Sequence, residues 1–199
     1  MKTKIGVLDT TLRDGAQSAL VSYTVKDKLK ILDILDALGI GFAEGGAPAA
    51  ITKDEELFAY LKRERVRFRT LKPVAFHSTC REGVAAREDE LLRKTVSLSD
   101  EYVSLYGKSS LAQVISVLRT SDTENLRMIA DSISYCRENG KRVIFEGEHF
   151  FDGYRNDPGY AMQTLVSAVN AGAERVVLCD TNGGSMPGEI KRVVREVCK

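Results

Sequence analysis

Apolar and polar residues alternate along this chain in blocks. A short apolar run is followed by a polar, glycine-containing stretch, and then by a longer segment whose apolar positions recur every three or four residues. The short runs fall at residues 5–8, 40–43, 73–76, 102–106, 142–145 and 175–179 and read as buried strands. Between them, Val25, Leu29, Leu32, Leu35 and Leu38 form an amphipathic helix that Thr24 caps and Gly39 stops. Thr52 and Glu55 read as a capping box that opens a helix with Leu57, Phe58 and Leu61 inward. Further helices are expected over 84–96, from Ser121 to about Asn139-Gly140, over 158–171 and over 187–198, while 111–119 is ambiguous between helix and extended chain.

Strand, polar loop and helix thus recur about six times, which implies a parallel sheet with right-handed crossovers. The repeat of roughly 30 to 40 residues suits the units of a (β/α)8 barrel of about 250 residues. Pattern alone leaves an open doubly wound sheet equally admissible. No Gly-x-Gly-x-x-Gly turn follows the first strand and no Walker A sequence occurs, which weighs against dinucleotide and nucleotide binding.

Composition narrows the function classes. With 199 residues, 43% hydrophobic and 29% charged, the chain is expected to bury one substantial core as a single domain over 1–199. A formal charge of +1 argues against a nucleic-acid surface, and the basic run 62–69 reads as a solvated connector. Four widely spaced cysteines without a CxxC pair read as reduced thiols, and no apolar segment approaches membrane-spanning length. A soluble cytoplasmic protein with no membrane partner is the expectation.

The candidate chemistry sits after the strands. Behind the first run comes Asp9-Thr10-Thr11-Leu12-Arg13-Asp14-Gly15-Ala16-Gln17, and behind the second Glu44-Gly45-Gly46. Neighbouring parallel strands present their C-terminal ends to one side, so Arg13, Asp14 and Glu44 can meet. Asp14 suits a hard or borderline metal, Arg13 suits charge on a substrate oxygen, and Glu44 suits orientation of the guanidinium. A buried structural ion pair is the alternative. Glu148 and His149 suit general acid/base work or a pinned loop, and Glu146 shares their alternation. His77 lines a pocket or caps a turn. Asp180-Thr181-Asn182-Gly183-Gly184 is a ligand-approaching backbone or an ordinary turn, and Lys108, within Tyr106-Gly107-Lys108-Ser109, is a contact for an anionic ligand or, more commonly for a lone lysine after a strand, solvated.

Taken together, these strand ends resemble the DRE-TIM metallolyase superfamily. The opening signature through Arg13-Asp14 and Gln17 is similar almost letter for letter, and Glu44 falls at the superfamily's strand-two glutamate. Tyr-Gly-Lys-Ser (106–109), Glu-His-Phe-Phe-Asp-Gly-Tyr (148–154) and Leu-Cys-Asp-Thr-Asn-Gly-Gly (178–184) resemble the citramalate synthase branch of the 2-isopropylmalate synthase-like enzymes. Ala47 stands where that branch often has an aromatic.

The resemblance implies an α/β fold of the TIM (β/α)8-barrel type, of which this chain covers about six βα units. It implies a divalent metal (Mg, Mn or Zn), and acetyl-CoA condensing with a 2-oxo acid, pyruvate above others, before thioester hydrolysis. It implies catalytic roles for Arg13, Glu44 and Glu148, substrate binding by Arg13, Gln17, His77 and Thr181, and metal ligation by Asp14. A homodimer is implied for the full-length protein. The superfamily's His-x-His metal pair is not in this chain, whose two histidines are His77 and His149. A 2-isopropylmalate or homocitrate synthase, an HMG-CoA lyase-like enzyme, and a non-catalytic fragment with partial ligand binding are the alternatives.

Overall fold

The computed structural model describes residues 6–199. Ile5, expected to open the first strand, lies outside the described residues. The elements follow the order β1 (Leu8–Asp9), α1 (Val25–Ala37), β2 (Phe42–Gly46), α2 (Thr52–Arg63), β3 (Lys72–Ser78), α3 (Glu90–Leu98), β4 (Tyr102–Lys108) and α4 (Leu111–Gln113). Then come α5 (Asp122–Glu138), β5 (Arg142–Glu148), α6 (Phe150–Asn156), α7 (Pro158–Asn170), β6 (Arg175–Leu178) and α8 (Pro187–Val197). The six strands lie in one sheet in sequence order, with β1/β2, β2/β3 and β5/β6 paired parallel. This is the βα alternation that the sequence pattern implied.

Two compact units divide the described chain: residues up to 77, with 90–104 and 139–142, form the first, and 78–89, 105–138 and 143–199 the second. In the first unit Leu12, Leu32, Leu35, Ala43, Leu57, Leu61 and Leu71 make one buried cluster. Helix α1 begins on a reciprocal capping box, with Thr24 and Asp27 each accepting the other's backbone N–H. At its other end the Asp36 carboxylate accepts three backbone N–H groups, from Leu71, Thr70 and Arg69, which hold its carboxyl well below the usual range. That carboxylate fixes the chain as it enters β3.

Several boundaries differ from the sequence reading. Strand β2 runs through Glu44 to Gly46, because Glu44 pairs with Val74 and Gly46 with Ala75 across an irregularity at Gly45. Glu44 and His77 therefore lie within strands. The Thr52/Glu55 capping box does not form: Thr52 is already helical, and the Ile51 carbonyl receives the N–H groups of Asp54 and Glu55. The expected helix over 84–96 is a short 3-10 turn, Ala86–Glu88, and then α3, broken at Asp89, whose buried carboxylate accepts Arg81 N–H and Nε–H. The ambiguous segment is α4 followed by one π-helical turn, Val114–Leu118, closed by Arg119 at φ +59°. Leu38, placed on the apolar face of α1, is exposed.

In the second unit α5 packs against α7, and α7 against α6. Gly153 in α6 lies so close to the Ser109 carbonyl that a Cβ there would overlap it. A hydroxyl pair, Ser109 Oγ and Thr164 Oγ1 at 2.7 Å, ties the end of β4 to α7. Among the described residues no helix is long and apolar enough to cross a membrane.

Candidate active site

In the first unit the site begins with a turn. The N–H groups of Arg13, Asp14 and Gly15 converge on the Thr10 carbonyl at 3.1, 2.9 and 3.2 Å, while the Asp9 carboxylate accepts the Thr11 N–H and hydroxyl. Leu12 is fully buried in the core, so the turn is anchored and Arg13 is delivered beside β2. There Arg13 Nε–H donates to Glu44 Oε2 at 2.6 Å and Nη1–H to Asp14 Oδ1 at 3.0 Å. Its guanidinium lies over the Phe76 ring, 4.0 Å from the centroid. The plane of Arg13 is thus fixed by a fully buried carboxylate from one side and a ring face from another.

A second network, absent from the sequence reading, supports this one. Lys28 extends from α1 into the core and donates to the Leu12 carbonyl at 2.8 Å, the Gly45 carbonyl at 2.9 Å and Asp54 Oδ1 at 2.5 Å. Asp54 Oδ2 accepts the Ala47 N–H at 2.8 Å. The buried ammonium therefore clamps the residues next to Arg13 and Glu44, and all three of its hydrogens are engaged. Gly46, at φ +134°, is required where β2 passes Asp54, since a Cβ would overlap that carboxylate. A lysine interrupting the apolar stripe of α1 was the available signal.

A cavity of about 420 Å³ opens here, lined by Arg13, Gln17, Lys28, Ala47, Asp54 and Phe76 among others. Gln17, on a short 3-10 turn, faces the same cavity as Arg13. Asp14 is 64% exposed, and only its Oδ1 is engaged among the described residues. An exposed carboxylate oxygen suits one position on a hard divalent cation. Among the described residues no three His, Cys, Asp or Glu side chains gather as a metal cluster. His77 is half-buried in β3.

In the second unit Glu148 closes β5 and Lys108 closes β4. Lys108 Nζ stands 2.5 Å from Glu148 Oε2, an oxygen shut off from solvent, as a charge contact without hydrogen-bond alignment. The expectation of a solvated Lys108 is corrected by that carboxylate: the lysine side chain is 12% exposed. Both residues line a cavity of about 340 Å³. Glu146, two residues earlier on the strand, is buried. His149 takes a left-handed conformation at φ +57°, donates its N–H to Thr181 Oγ1 at 2.8 Å, and sets Nδ1 3.1 Å from Asp152 Oδ2. Thr181 thereby accepts one bond and keeps its own O–H to donate. The Asp180–Gly183 turn is closed by a backbone bond at 2.8 Å, with Ser185 on the Asp180 carboxylate.

The fold is α/β of the TIM-barrel type, six βα units of it in this chain, and it brings Asp14 and Arg13, in the turn after β1, together with Glu44 within β2. Solved HMG-CoA lyases superpose on it: that of Bacillus subtilis with TM-score 0.75 at 14% identity over 98% of this chain and 64% of its own, and that of Pseudomonas aeruginosa with TM-score 0.73 at 20% identity over 98% and 63%. The chain belongs to the HMGL-like family, whose model matches residues 4–199.

Among curated relatives, the (R)-citramalate synthase of Synechocystis is 46% identical over 98% of this chain and 36% of its own length, and that of Streptomyces coelicolor 46% over 96% and 36%. The homocitrate synthase of Saccharolobus solfataricus is 31% identical over 98% and 41%. This chain spans a little over a third of the length of the citramalate synthases it matches.

Proposed function

We propose that the protein carrying this chain condenses acetyl-CoA with pyruvate and hydrolyses the thioester to give (R)-citramalate. The observation that carries this reading is the 46% identity to curated (R)-citramalate synthases over nearly the whole chain, against 31% to a homocitrate synthase. A divalent metal, when bound, supplies Lewis-acid polarisation of the 2-oxo acid. Asp14, with an unengaged carboxylate oxygen, would be one of its ligands.

The chain's own residues do the rest. Arg13 stabilises negative charge developing on oxygen, and its plane is held by Glu44 and Phe76, so little reorganisation accompanies the reaction. Thr181 donates its free O–H to the substrate carboxylate. Glu148 holds or exchanges a proton near the reacting carbon. Gln17 and His77 contribute to substrate binding, and we read the whole protein as a cytoplasmic homodimer acting on small molecules.

The test is CoA-thiol release by the full natural protein with acetyl-CoA and Mg²⁺, Mn²⁺ or Zn²⁺, with citramalate identified by mass spectrometry. Turnover with pyruvate well above that with 2-oxoisovalerate or 2-oxoglutarate is expected. Preference for either of those, or cleavage of HMG-CoA without condensation, would overturn the reading.

A further inference from the structure

Two lysine–carboxylate pairs among the described residues, the buried Lys28–Asp54 and the half-buried Lys108–Glu148, are built differently. Lys28 has every hydrogen engaged and a side chain 4% exposed, as a structural clamp requires. Lys108 meets only the Glu148 carboxylate through Nζ among the described residues, and without hydrogen-bond alignment. Its donors are therefore under-used in a place where water has little access.

The backbones beneath the pair are held rigidly. The Lys108 carbonyl accepts from Asn125 Nδ2 at 2.9 Å, and Asn125, fully buried, also donates to the Tyr160 hydroxyl at 2.7 Å. The next residue, Ser109, donates its N–H to the Glu148 carbonyl at 2.8 Å. Fixed main chains with a charge contact between them that uses one ammonium–carboxylate pairing, at the wall of a cavity of about 340 Å³, are the arrangement of a working pair rather than a fold clamp.

We propose that Lys108 is a positioning residue for Glu148: its ammonium balances the carboxylate charge and holds Oε2 at the cavity wall, leaving the other oxygen to serve the reaction. This role rests on the condensation proposed above. It predicts that the pair acts as one unit, so the loss of either member removes most of what both supply.

The experiment is a cycle in the full natural protein comparing wild type, K108M, E148Q, the double variant and K108R, with kcat and both KM values measured. K108M is expected to lower kcat by about 100-fold, the lower end of acid–base contributions, with each KM within about twofold. K108R is expected to keep at least about a tenth of wild-type kcat. In the E148Q background K108M should add no further loss.

Wild-type kcat in K108M, a rise in KM alone, or a loss that repeats in full on E148Q would overturn the role while leaving the reaction standing. A wild-type protein without condensation activity overturns the proposed reaction and this role with it. Should K108M lose its cooperative melt, K108R and the double variant, which leaves no uncompensated charge, carry the same comparison.

Discussion

Replacing Lys28 with methionine removes one charge from the clamp beneath Arg13 and leaves a side chain of similar length. Three bonds are lost, to the Leu12 and Gly45 carbonyls and to Asp54 Oδ1. The largest consequence is the Asp54 carboxylate, 3% exposed and left without its cation. Breaking a buried pair by deleting one member costs about 3–5 kcal/mol. The two carbonyls each forfeit a bond to a charged donor, of about 1.5–3 kcal/mol, although the losses overlap because all three share one atom. A net destabilisation of about 4 kcal/mol is expected, a large part of the roughly 5–15 kcal/mol that holds a domain folded. Urea unfolding of the full natural protein, followed by circular dichroism, reads this as a lower midpoint at unchanged m. Adding D54N to K28M removes the stranded charge while keeping an acceptor for the Ala47 N–H, and should recover more than half of the loss. K28M within about 1 kcal/mol of wild type, or a double variant as unstable as K28M, would refute the argument.

Three further outcomes are expected. R13K keeps the charge but not the planar contact with Glu44 and Phe76, so kcat should fall by at least about 100-fold with the fold intact, measured by CoA release and a thermal melt; wild-type kcat would contradict it. The Glu124 carboxyl is lowered to about 2, first by Arg127 and then by the Gly83 N–H. A depressed carboxyl contributes stability that is complete above the unfolded value near 4.5 and is lost as pH falls through about 2, so melting temperatures from pH 5 to 2 should decline more steeply in wild type than in E124Q, and parallel curves would count against it. G153A drives a Cβ into the Ser109 carbonyl and should lower the melting temperature by several degrees; an unchanged melt would show that α6 has more room there than its backbone suggests.

How far the sequence reaches depends on how local each determinant is. The Thr24 capping box was legible because Thr24 and Asp27 are three residues apart and bond to each other's backbone. The same spelling at Thr52 and Glu55 failed, since the turn before α2 is set by Ile51 and by Asp54, whose side chain answers to Lys28 on another helix. Glu44 was recognised by type and placed one element late, because only the ladder to β3 decides where β2 stops.

The strand–loop–helix order, the parallel sheet and the family signature were determined by the sequence itself, for they rest on periodicity and on residues adjacent in the chain. The tertiary structure alone decided which charges are partners: Lys28 with Asp54 across 26 residues, and Lys108 with Glu148 across 40. A lysine's letter carries the same charge at the surface and in the core. What makes it a clamp or a positioning group is desolvation and the distance to an opposite charge, and packed strands and helices fix both.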